Sequence, residues 1–172
     1  MRRTLAEINA LPAEEFTAWL VGVYEHSPWI AEAAAAQRPF SGAGPLKQAM
    51  EEIVNNAPAA AQLDLIRAHP DLAGRLAQLG RLTAESTREQ TAAGMDAMSP
   101  EELQRMAAGN EAYLARFGFP FVICARRHTR DSILEAMATR LEHDPATEQA
   151  AALEEIHHIA HLRTDDLICQ EN

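Results

Sequence analysis

The sequence is poor in several things that would each commit it to a class. Only two of its 172 residues are cysteine. Cys124 and Cys169 stand far apart and form no C-x-x-C pair, which argues against a disulfide framework or a zinc knuckle. Basic residues are scarce as well: 15 Lys and Arg against 25 Asp and Glu give a formal net charge of −10. Such a chain lacks the clustered cations that nucleic acid or an anionic membrane requires. An anionic small molecule would have to be met locally, by an arginine or a helix N-terminus, against the overall field. No apolar run approaches the roughly 20 residues of a membrane helix. The start, Met1-Arg2-Arg3-Thr4-Leu5, has no signal-peptide core before Glu7, and Cys169 to Asn172 is no peroxisomal address. A cytoplasmic protein is the expectation. Alternating strand patterns, repeats and low-complexity tracts are also missing.

What is present is an ordinary globular composition, 47% hydrophobic and 23% charged. A chain this long forms one domain and buries roughly 70% of its extended surface. Its apolar periodicity is helical, punctuated by proline and glycine. Thr4 with Glu7 fits a capping box. A helix over about Ala13 to Tyr24 would bury Phe16, Trp19, Leu20 and Val23. Ser27-Pro28 opens the next, through Ala36, and Arg38 to Pro45 reads as loop with turns at Gly42 and Gly44. Helices follow over Leu46–Asn55 and Pro58–Ala68, then a short helix, a break at Gly80 and another helix to about Gly94. Ser99-Pro100 with Glu102 starts a helix to Arg116. The last two span Asp131–Leu141 and Pro145–Leu162. The fold class is therefore all-α: a single-domain helical bundle of about eight to nine helices over residues 1–172. Phe121-Val122-Ile123 resists this reading, being β-branched and apolar like a buried strand with no ladder partner.

The stretch Ala68-His69-Pro70-Asp71-Leu72-Ala73-Gly74 forces a junction. Proline keeps the residue before it extended, so His69 ends one helix, and Pro70 suits the first turn of another. A histidine fixed there holds its ring direction and titrates near neutral pH; it also serves equally well as a plain cap. Ser86, Glu89 and Gln90 stand at i, i+3 and i+4 on one helix face. Ser-x-x-Glu is the capping-box pattern, yet the same face offers a carboxylate beside an amide that both donates and accepts. Arg163 near the end of the last helix is either a cation at the negative dipole end or a clamp for a carboxylate. His157 and His161, at i and i+4, have metal-ligand spacing but no H-E-x-x-H and no third ligand, so no metal site is expected and solvated histidines are the simpler reading.

Taken together with Phe117 to Ala125, Ile159 to Arg163, Ser27-Pro28-Trp29 and Arg38-Pro39-Phe40, these segments resemble the OHCU decarboxylases. Those enzymes act on 2-oxo-4-hydroxy-4-carboxy-5-ureidoimidazoline, OHCU, in the ureide pathway. The resemblance runs from about Leu5 to Leu167 with the motifs in order. It implies decarboxylation of OHCU to (S)-allantoin and CO2 in urate breakdown, with no cofactor. It implies His69 as catalytic acid/base, acting with Glu89, and Pro70 in contact with substrate. Substrate binding then falls to Ser86, Thr87, Arg88, Glu89 and Gln90, and, largely through backbone, to Phe121, Val122, Ile123, Cys124 and Ala125. Arg163 is the implied clamp, and a homodimer is the implied assembly. The chain departs from the family pattern at His157, His158 and His161, where lysine or arginine would be expected; this alters the charge around Arg163. Two other readings stay open on the residues alone: a non-enzymatic helical module binding a small ligand or a partner, with His69 a cap, and a metal hydrolase centred on His157 and His161.

Overall fold

The computed structural model describes residues 2–72 and 82–169. Regular structure among them is helical, apart from one isolated parallel bridge between Arg3 and Ile168. We number the described α-helices α1 (Leu5–Ala10), α2 (Ala13–Leu20), α3 (Pro28–Ala35), α4 (Ala43–Asn55), α5 (Ala59–Ala68), α6 (Ala84–Ala92), α7 (Pro100–Phe117), α8 (Arg130–Arg140) and α9 (Pro145–Leu167). Short 3-10 turns lie at Met95–Ala97 and Ala125–Arg127. The chain groups into two compact units, one of residues up to Ala68 with those from His157 on, the other from His69 to Ile156. The expected short helix after His69 and the Gly80 break fall outside the described residues.

In the first unit, Ile8, Phe16, Leu20, Ile30, Leu46, Met50, Leu65 and Ile66 are the most deeply buried large side chains. The Thr4–Glu7 capping box is present, with both reciprocal bonds made. The second helix stops at Leu20 rather than Tyr24, and residues 21–24 form turns. A tertiary contact accounts for this, because the Gly22 carbonyl accepts from Arg163 instead of from a following helical turn. Val23 is buried as expected, while Trp19 is only half-buried. The Arg38–Pro45 loop is shorter than predicted, since α4 begins at Ala43 and takes in Gly44 and Pro45. Proline is tolerated there because first-turn N–H groups have no helical partner anyway.

The second unit is organised by α7. Ser99 caps it in a full capping box with Glu102, Pro100 occupies the first position, and Gly118 ends it at φ 75°, a left-handed conformation suited to glycine. Gly109 is where α8 comes closest: a Cβ there would run into the Met137 thioether. The suspect segment, 121–124, is irregular and buried and pairs with no strand among the described residues. The last helix continues to Leu167, five residues past the expected end, so Arg163 sits a full turn inside it.

Candidate active site

His69 directly follows the last residue of α5 and is buried, with Pro70 half-buried beside it. Proline's restriction on its neighbour explains why the helix ends there. On α6 the sequence reading needs a correction. The cap is Thr83, whose hydroxyl accepts from the Ser86 N–H at 3.2 Å, so Ser86 lies at the third helical position and is not a capping residue. Ser86–Glu89 is therefore no capping box. Threonine caps nearly as well as serine, and it stands three residues earlier.

That shift frees the helix face for something else. Ser86 and Gln90 are buried and Glu89 half-buried, whereas Thr87 and Arg88 are exposed. The Thr87 hydroxyl donates to the Thr83 carbonyl, and Arg88 pairs with Glu85 at 3.2 Å. The structure thus separates the five-residue motif into three inward groups and two outward ones. The helix packs against the 3-10 turn Ala125–Arg127. Burial pushes the Cys124 thiol up to about 11, and the carboxylates of Glu155 and Glu89 add to the effect. The thiol is consequently protonated at neutral pH and no nucleophile. The same effect places Glu89 and Glu155 within electrostatic reach of Cys124.

Phe121, Val122, Ile123, Cys124 and Ala125 are all buried. Several of their main-chain groups find partners in side chains and in the following turn. The Val122 carbonyl accepts from Arg140 Nη1 at 2.8 Å, the Cys124 N–H donates to Glu155 Oε2 at 2.7 Å, and the Cys124 carbonyl accepts from the Arg127 N–H at 2.9 Å. Glu155, Arg140 and Glu148 were not singled out in the sequence. Glu155 reads there as one of two adjacent acids on a helix, and no local pattern links Arg140 to Val122.

In the first unit Arg163 is buried, not poised at a helix end. It donates from Nη1 to the Gly22 carbonyl at 3.1 Å and from Nη2 to Glu25 Oε2 at 3.3 Å, and Glu25 is buried too. His157 is likewise no solvated residue. Its Nδ1 is hydrogen-bonded to the Tyr24 hydroxyl at 2.8 Å and its Nε2 to Asn55 Oδ1 at 3.3 Å. An acceptor at Nε2 fixes the proton there and leaves Nδ1 to accept from Tyr24. His161 contacts Glu51 at 3.3 Å, and burial holds its imidazole below the ordinary histidine range. Among the described residues no group of three or more His, Cys, Asp or Glu is arranged to hold a metal.

Ser86, Glu89 and Gln90 thus turn inward on a helix that packs near buried, irregular backbone, an arrangement able to offer hydrogen-bond donors and acceptors to a small molecule. The chain belongs to the OHCU decarboxylase family, whose sequence profile, described as OHCU decarboxylase, matches residues 9–165. It is 42% identical to the 2-oxo-4-hydroxy-4-carboxy-5-ureidoimidazoline decarboxylase of Amia calva, over 95% of this chain and 94% of that protein. A crystal structure of (S)-allantoin synthase is similar over 98% of this chain with a TM-score of 0.81 at 30% identity; the chain spans 55% of that longer one. A crystal structure of OHCU decarboxylase in the presence of (S)-allantoin is similar over 88% of this chain and 96% of that chain, with a TM-score of 0.71 at 26% identity.

Proposed function

We propose that this protein decarboxylates OHCU to (S)-allantoin and CO2 in urate breakdown. The observation that carries the reading is the grouping of Ser86, Glu89 and Gln90 on the inward face of α6, against the segment that contains Cys124 and Ala125. Those residues are the ones the family resemblance assigns to substrate.

The chemistry follows from the substrate. Its carboxylate and hydroxyl share one ring carbon next to a C=N bond. When the C–C bond to the carboxylate breaks, CO2 departs and the electron pair moves into the adjacent C=N system. That ring system is its own electron sink, so the reaction asks for no metal or organic cofactor. The nitrogen takes up a proton and the two ring carbons are left joined as an enol. The ureido-bearing carbon then takes a proton on one face while the hydroxyl gives up its own and becomes the carbonyl of allantoin. In this reading His69 transfers that proton and Glu89 supports its charged form. Ser86 and Gln90 hold the ring's donors and acceptors, joined by Pro70 and the 121–125 backbone, and Arg163 pairs with an anionic group of the substrate. Thr87 and Arg88, on the outer face, contribute by holding the helix turn. We take the working form to be a cytoplasmic homodimer that meets neither nucleic acid nor membrane. No helix among the described residues is long and apolar enough to cross a membrane.

The test is to supply freshly generated OHCU and follow the handedness of the allantoin by circular dichroism. Spontaneous decay has no handedness, so rapid accumulation of the S form is the expected result. Racemic product at the uncatalysed rate would reject the reading.

A further inference from the structure

A buried irregular segment must place its N–H and C=O groups somewhere, because leaving them unbonded away from water costs about as much as a lost hydrogen bond. The segment 121–125 solves this with side chains from two other helices. Arg140 on α8 donates to the Val122 carbonyl and Glu155 on α9 accepts from the Cys124 N–H. No described residue hydrogen-bonds the N–H or C=O of Ile123 between them. Each of these two peptide groups is thus held at one end, at the Val122 carbonyl and the Cys124 N–H, and carries the Ile123 N–H or C=O at the other.

Arg140 is itself held with unusual care. Its Nε donates to Glu148 Oε1 at 2.9 Å, and Nη2 reaches the same oxygen. Glu148 is fully buried and also accepts from the Tyr113 hydroxyl, while its Oε2 lies 2.9 Å from His143 Nδ1. The guanidinium stands 4.8 Å from the Phe121 ring centroid, and the Tyr113 ring meets Phe121 edge-on at 5.2 Å. One cation therefore grips the side chain of residue 121 and the carbonyl of residue 122 together. Burial alone draws the Arg140 guanidinium down to about 10, the carboxylate of Glu155 opposing. A desolvated ion pair is an inefficient way to stabilise a fold, since well-packed apolar residues of the same volume often do as well. It is, however, an efficient way to fix geometry.

We propose that Arg140, held by Glu148, and Glu155 are positioning residues that set the main chain of 121–125 for substrate, leaving the Ile123 N–H and C=O as the donor and acceptor for amide-like groups of the ligand. The proposal rests on the assignment of this segment to substrate binding. Neither side chain is asked to touch the reacting atoms. Their effect is preorganisation: the backbone dipoles are in place before the ligand arrives.

The test uses two pairs of variants of the full chain, each checked for folding by far-UV circular dichroism. Arg140→Lys keeps the charge but lacks the fork that holds Glu148 and the Val122 carbonyl at once. It should raise KM for OHCU about tenfold or more, change kcat less, and lower the S excess of the product. Glu155→Ala should do the same, whereas Glu155→Gln, which keeps an acceptor for the Cys124 N–H, should restore a near-normal KM. Gly109→Ala serves as the stability control: the Met137 clash should lower Tm without moving KM. Amide hydrogen exchange at residues 122–125 should quicken at least tenfold in Arg140→Lys and Glu155→Ala, but not in Glu155→Gln. If both disruptive variants lose only Tm, with KM, handedness and exchange per folded molecule unchanged, the proposal is overturned while the function stands. If the unaltered protein gives no stereoselective turnover, the function fails, and exchange at 122–125 still decides whether these side chains hold the segment.

Discussion

Each compact unit buries one arginine against a glutamate and a main-chain carbonyl, and the two arrangements differ in tightness. In the second unit Arg140 reaches the Val122 carbonyl at 2.8 Å and doubles its contact to Glu148, which Tyr113 and His143 also bond. In the first, Arg163 reaches the Gly22 carbonyl at 3.1 Å and Glu25 at 3.3 Å. Burial pushes the Glu148 carboxyl above its ordinary range. The comparison teaches that the same pair of residue types serves two ends. In our proposal the shorter pair holds the main chain at Val122, and the longer one keeps a cation buried beside Glu25. On our reading His69 and Glu89 carry the proton chemistry, and Arg163 serves binding.

That division is most exposed at His69. His69→Asn should cut stereoselective decarboxylation roughly 10³-fold or more, within the range expected for loss of a general acid/base, with near-normal thermal unfolding. Ordinary turnover by the folded variant would move the chemistry elsewhere. The two ion pairs are compared next. Glu148→Ala leaves Arg140 buried and unpaired, a loss of about 3–5 kcal/mol in urea unfolding. Glu25→Ala should cost less, given the longer contact, and equal losses would show that contact distance does not rank the two pairs. At Glu89 stability and catalysis should part company. Because Thr83 carries the cap, Glu89→Gln should alter stability by less than ~1 kcal/mol while lowering turnover roughly 10²-fold.

Arg163 gives a smaller effect and the opposite kinetic signature. Arg163→Lys spares Glu25 an unpaired buried charge but loses the planar fork. It should raise KM about tenfold, in line with loss of one charge-assisted contact, with kcat changed less. An unaltered KM would return Arg163 to a purely structural role. The smallest expected effect is a pH dependence at His161. Burial lowers its folded pKa, with Lys47 and His158 in the same direction and Glu51 and Asp165 against. The folded state therefore disfavours the charged imidazole. The stability that depends on neutrality is present above the ordinary histidine pKa, near ~6.5, and is lost as pH falls through it. His161→Gln should flatten unfolding free energy between pH 7 and 5 relative to the unaltered protein; an identical slope would remove His161 from that dependence.

Much of the helical framework was legible in the residues because its signals are local. Thr4 with Glu7, and Ser99 with Pro100 and Glu102, set helix starts through bonds spanning three residues, and Gly118 ends α7 by its own backbone freedom. The helix-ending effect of Pro70 on His69 is likewise a constraint between neighbours. Where local signals competed, the sequence was ambiguous: Thr83 and Ser86 both have cap chemistry, and only the fold chose Thr83 and turned Ser86 inward. What the tertiary structure alone decided are the long-range partners. The Cys124 N–H finds Glu155 31 residues away, Arg163 finds Glu25 138 residues away, and Tyr24 meets His157 across 133. No short pattern specifies such pairs. They depend on which helix faces pack together, and burial then makes each polar group take the nearest partner with the right donor or acceptor.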